Sequence, residues 1–154
     1  MKNLPLLVLA LLCASCGPDH LFEAKHEMPN AQWAYRDSLV FEFEVKDTSS
    51  RYDFFLNIDY QKDKYPFQNL YMRFNTVYPN GKSIKRQLSF DIFAPTGEPL
   101  DVGSRHIALQ ENAFFNQTGK HRIVMEQFTR RDSLPGIGAI GLEIVGSRGG
   151  KDKQ

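Results

Sequence analysis

Cysteine is nearly missing from this chain: 154 residues hold two, Cys13 and Cys16, and none follows. Beyond residue 16 there is no thiolate for a zinc site, no thiol nucleophile and no disulfide. A folded body must therefore rest on burial and hydrogen bonding. Charge of one sign is missing too. Nineteen basic residues face eighteen acidic ones, and with Lys2 set apart the remainder cancel. That balance argues against a nucleic-acid partner and against a polybasic membrane patch. The four histidines, His20, His26, His106 and His121, show no paired metal-ligand spacing. There is no Gly-x-Ser-x-Gly elbow, and no serine stands in a recognisable array with His and Asp. No segment keeps helical periodicity over two capped turns.

Long apolar runs are confined to the N-terminus. Lys2 supplies a positive start, and Leu4 to Leu12, interrupted only by Pro5, supplies a nine-residue apolar core. Together they read as a secretory signal. Nine residues fall short of the ~20 that a helix needs to cross a bilayer, so this is no transmembrane anchor. Ala14 and Ser15 place small residues directly before Cys16, and the pattern resembles a bacterial lipoprotein box. Cys13 is the weaker site, because Leu11 and Leu12 precede it. The expectation is removal of residues 1–15 and acylation of Cys16, which holds the protein on a membrane through its acyl chains. Residues 16–36 then read as acyl anchor and tether, with Met28-Pro29-Asn30 as a turn.

From residue 37 alternation takes over. Phe41-Glu42-Phe43-Glu44-Val45 alternates apolar and acidic residues strictly, the mark of a half-buried strand. Tyr52, Phe54, Leu56, Ile58 and Tyr60 repeat at period two, and Leu70, Met72 and Phe74 continue it. Pro79-Asn80-Gly81 predicts a hairpin of type I′, in which Asn80 and Gly81 accept positive φ. The return strand runs from Ile84 to Phe93, and Ala94 to Pro99 is a further turn. Ile107 to Leu109 suggests a short strand, Asn112 to Thr118 a loop, and His121 to Phe128 a weakly alternating strand. Ile140, Leu142 and Ile144 form the last strand, and residues 147–154 a polar tail. Short strands punctuated by Gly and Pro predict an all-β domain over 37–146. Its form is an antiparallel β-sandwich of seven or eight strands, jelly-roll or immunoglobulin-like.

Gly136 to Gly141 spells the letters of a dinucleotide-binding GxGxxG. That motif needs a helix after it and an acid ~20 residues on, whereas strand-like Leu142 to Val145 follows here. Asp91, Glu98 and Asp101 could offer loop carboxylates to a hard cation, but their spacing matches no calcium loop. No cofactor, metal or enzymatic role follows. Trp33, Tyr35, Tyr60, Tyr65, Tyr71 and Tyr78 could form an aromatic platform if several pointed outward.

One resemblance covers nearly all of the chain after the signal. Tyr65-Pro66-Phe67-Gln68-Asn69-Leu70, Pro79-Asn80-Gly81, Gly119, Gln127-Phe128-Thr129-Arg130, Leu134-Pro135-Gly136-Ile137 and Ile140-Gly141-Leu142 occur in this order. The set resembles the gliding-motility lipoprotein family GldH of Bacteroidota. The resemblance implies a non-catalytic envelope lipoprotein, membrane-anchored and facing the periplasm. It would serve the gliding and associated secretion machinery through contacts with other envelope proteins. Tyr65, Asn69, Asn80, Gly81, Gln127, Arg130, Gly136 and Gly141 become the candidate partner-contact or fold-critical residues. The competing reading is a glycan-binding lipoprotein module of a polysaccharide uptake system, carried by the aromatic platform.

Overall fold

The computed structural model describes residues 20–148. Cys16, the signal and most of the polar tail lie outside the described residues. Ten strands occur in chain order: β1 (His20–Glu27), β2 (Gln32–Ala34), β3 (Leu39–Val45), β4 (Arg51–Tyr60), β5 (Asn69–Val77), β6 (Ser83–Asp91), β7 (Ser104–Phe114), β8 (Gly119–Gln127), β9 (Ser133–Pro135) and β10 (Ile137–Gly146). A short 3-10 turn, Pro29–Ala31, joins β1 to β2.

Eight strands make two antiparallel sheets, ordered β1-β10-β4-β7 and β3-β8-β5-β6, and β2 pairs with β9 in a short third ladder. This interleaving, in which consecutive strands alternate between the sheets except at the β5–β6 hairpin, is the jelly-roll order of two Greek keys. It is not the immunoglobulin order, whose sheets group the strands differently.

Alternation explains which side of each sheet turns inward. Phe41, Phe43 and Val45 of β3 are buried while Glu42 and Glu44 are exposed. In the other sheet Ile140, Leu142 and Ile144 of β10 lie opposite Ile58, Leu56 and Phe54 of β4. These rows face Phe41, Ile123, Met125, Met72 and Phe74 across the sandwich and form one contiguous core. Burying a large apolar side chain of this kind contributes about 1.5–3 kcal/mol. One long edge of the sandwich is shut, with Phe22 of β1 packed against Phe41 and Phe43 of β3.

Three details differ from the expectations of the sequence. The span assigned to a tether, 16–36, contains β1 and β2, so the sandwich begins by His20. β1 is a sheet-edge strand whose inward row, Phe22, Ala24 and His26, is too mixed to show alternation. The β5–β6 hairpin exists, but its turn is not type I′. Gly81 has φ +80° while Asn80 does not have positive φ. Gly81 N–H donates to Tyr78 O (2.9 Å) and Tyr78 N–H to Lys82 O (2.8 Å), a type I turn closed by a Gly bulge. Pro79, with its fixed φ, suits the first central position of that turn. Lastly, Asn112 to Phe114 belong to β7 rather than to a loop. Register shifts between Tyr52 and Phe55 interrupt the β4–β7 ladder, and Asn112 sits at φ +52°. Such bulges erase the period-two signal.

Two glycines give a graded test of backbone constraint. A Cβ on Gly81 would meet nothing within 4 Å, so Gly81→Ala carries only the left-handed backbone cost of about 1–2 kcal/mol. Gly136 shares a positive φ (+82°), but its Cβ would fall 2.5 Å from the Tyr65 backbone nitrogen. Chemical denaturation should show Gly136→Ala losing about 3 kcal/mol or more, and clearly exceeding Gly81→Ala.

Candidate functional site

The candidate residues divide between the two ends of the sandwich. Asn80 and Gly81 sit in the β5–β6 turn, at the end where β8 begins at Gly119. Asn80 Oδ1 there accepts from the Lys82 N–H (3.0 Å). Gly141 lies mid-strand in β10, opposite Lys25 and Asn57. It floors an open depression of about 450 Å³ on the outer face, beside Asn57, Asp59 and His106.

Tyr65, Asn69, Gln127 and Gly136 converge at the other end, where β8 finishes and the chain turns through β9 into β10. Gly136 holds the corner. Its N–H donates to Ala31 O (2.9 Å), and its carbonyl accepts from Gln61 N–H (2.8 Å). Tyr65 is buried against it, and the Tyr65 hydroxyl donates to Asn69 O (2.8 Å). Burial pushes that hydroxyl well above the ordinary tyrosine value. Asn69 Nδ2 donates to Ser89 Oγ (2.9 Å) and ties the start of β5 to β6. Gln127, only 1% exposed, donates from Nε2 to Arg131 O (3.0 Å) and accepts at Oε1 from Thr129 N–H (2.9 Å). One buried amide thus satisfies both directions of a solvent-facing bend. Trp33 and Leu134 pair across β2 and β9 and fill the space beneath. Arg130 projects into solvent at the same bend.

A surface that no sequence pattern marks is assembled around this corner. Tyr71, Arg73 and Glu126 stand on the outer face of the β3-β8-β5-β6 sheet, and Phe128 follows β8. The Phe128 N–H donates to Tyr71 O (2.8 Å). The Arg73 guanidinium lies 4.4 Å from the Phe128 ring centroid and 3.6 Å from a Glu126 carboxylate oxygen. Tyr71 and Phe128 remain exposed. A second guanidinium, that of Arg131, sits 5.4 Å from the Phe67 ring. Exposed Tyr, Phe and Arg held in place by neighbours are the side chains enriched at protein–protein contacts. No local motif marks this patch, because its members come from β5, β8 and the loop after β8.

The aromatic platform does not form. Trp33, Tyr60 and Tyr65 are in the core, Tyr78 is half-buried, and of the six only Tyr35 and Tyr71 are exposed. Trp33 instead donates from Nε1 to Asp37 O (2.9 Å). The GxGxxG letters run from the Gly136 corner into strand β10, without the helix that the motif requires. Among the described residues no group of three or more His, Asp or Glu is arranged to hold a metal ion.

The family described as GldH lipoprotein matches residues 20–144. A gliding motility lipoprotein GldH homolog of Christiangramia forsetii is 29% identical over 147 residues, covering 87% of this chain and 88% of the relative. The gliding motility lipoprotein GldH of Flavobacterium johnsoniae is 27% identical over 157 residues, covering 96% of each. Among solved structures, a carbohydrate-binding module specific for non-crystalline cellulose aligns with a TM-score of 0.44 at 12% identity. That alignment covers 81% of this chain and 73% of the module.

Two measurements probe the corner. Gln127→Leu leaves the Thr129 N–H and the Arg131 carbonyl without partners and should cost about 1–3 kcal/mol in chemical denaturation. Arg130→Ala should stay within about 0.5 kcal/mol of the parent. The raised Tyr65 hydroxyl fixes the sign of the alkaline response. Its neutral form is favoured in the folded state, so stability is fully present below pH 10.0, the ordinary value, and falls as pH rises beyond it. Tyr65→Phe should make that fall shallower when melting temperature is followed against pH.

Proposed function

The chain belongs to the GldH lipoprotein family, and on that premise we propose that it is a non-enzymatic accessory component of the gliding-motility machinery and its associated secretion apparatus. It is held on an envelope membrane by acyl chains on Cys16, faces the periplasm and works through contacts with other envelope proteins. The observation that carries this reading is a family match across almost the whole folded body, 20–144, and not a shared short motif. The Tyr71–Arg73–Phe128 patch supports the contact role. It combines exposed aromatics with a guanidinium already positioned by Glu126 and Phe128, so little side-chain freedom is lost on docking.

The test uses the full-length gene in its own cells. Cys16→Ser should leave the protein folded but move it out of the membrane fraction, and colony spreading should be lost. The pair Tyr71→Ala and Phe128→Ala should keep the protein in the membrane with its melting temperature within a few degrees of the parent, and should still reduce spreading. Normal spreading by cells that carry either change would contradict the proposal.

A further inference from the structure

The two long edges of the sandwich are unlike. On one, β1 and β3 close against each other. On the other, β6 and β7 end their sheets and part. A cavity of about 240 Å³ opens between them, walled by Phe43, Phe54, Phe74 and Phe115. β6 pairs with β5 on one side, so along its nine residues the other row of backbone N–H and C=O groups has no strand partner among the described residues. Its inward row is Ile84, Arg86, Leu88 and Phe90, set opposite Thr76, Phe74, Met72 and Leu70. Only Phe90 is buried; Ile84 and Leu88 are 45% and 37% exposed although they face the sandwich interior. β7 lines the same cavity with Leu109, Gln110 and Ala113 but leaves both side chains partly open to solvent.

A second observation concerns His121, on the inner row of β8 and 1% exposed. Its Nδ1 donates to Gly119 O (3.1 Å), so in the neutral ring Nε2 is an acceptor, and Nε2 has no partner among the described residues. The ring lines the same cavity, between Phe43 and Phe115. A buried acceptor left unmatched is costly, and a ligand hydroxyl or N–H would satisfy it. The third observation is charge. Lys82, Lys85 and Arg86 are exposed along the start of this edge, and none pairs with a carboxylate among the described residues. The one acid of β6, Asp91, is at its far end.

We propose that the β6 edge accepts an extended acidic segment of a partner protein as an added strand, with an apolar side chain bearing a donor, such as tyrosine, inserted between the sheets toward His121. Backbone bonding along a free edge supplies affinity in such additions, and the pocket for alternate side chains supplies selectivity. A glycan would leave the apolar cavity and the backbone row unused. A second copy of this chain would bring the same basic stretch to the edge. This site is separate from the Tyr71–Arg73–Phe128 patch. It rests on the proposed function only in expecting a protein partner.

The assay needs no cells, so its failure leaves the family role standing. The probe is a fluorescein-labelled, end-blocked seven-residue peptide that alternates glutamate with valine around a central tyrosine, read by anisotropy against the mature protein. Saturable binding is expected. Lys85→Glu combined with Arg86→Glu should weaken it at least tenfold, and Ile84→Asp should do the same, with melting temperatures unchanged. Peptides with lysine for glutamate, or with proline for both valines, should not bind. The proposal is overturned by no saturable binding up to millimolar peptide, by equal binding of the proline peptide, or by variants that bind like the parent. Concentration-dependent dimerisation through this edge in sedimentation velocity would also overturn it, in favour of a second copy.

Discussion

The contact between the inner row of β10 and β4 and the facing row of β3, β8 and β5 is the interaction on which the other features rest. Ile140, Leu142, Ile144, Leu56 and Ile58 are fully buried against Phe41, Met72 and Met125. No disulfide links the described strands, because both cysteines precede them. Non-directional burial therefore has to fix a topology whose neighbouring strands are far apart in sequence, as with β1 beside β10. β10 can be central because it is apolar on its inner side and slim on its outer side, where Ala139 and Gly141 stand.

Burial sets the two sheets face to face but does not finish the ends, and polar groups complete the work there. The two buried polar side chains among the described residues, Gln127 and His121, both lie on the inner row of β8 near its opposite ends. Gln127 has partners in both directions and closes its end with Gly136 and Tyr65. His121 keeps a free acceptor beside an apolar cavity. One end of the strand is thus sealed for stability, and the other is left fit for a partner.

Much of this was legible in the residues. The alternation of β3, β4 and β5 gave their inward rows directly, since one face buried against a second sheet imposes period two. β1 was hidden because an edge strand tolerates His20, Glu23 and Lys25 around only two strong apolar residues, Leu21 and Phe22. β7 was hidden because its bulges break the period. The family resemblance rested on Gln127, Gly136 and Gly141, whose surroundings the structure now supplies. Surface sites were out of reach. The Arg73–Phe128 contact and the Asn57–His106 hydrogen bond (2.6 Å) join strands that no local pattern pairs, and the β6–β7 cavity exists only once both sheets are placed.

The proposed contact role is open to one direct measurement. The protein would be extracted from its own cell membranes in mild detergent, with Cys16 intact, and its native mass determined by light scattering. A mass well above that of a single lipidated chain, falling to the monomer when Arg73 and Phe128 are both replaced, is what the account expects. A lone lipidated monomer in the parent extract would contradict it.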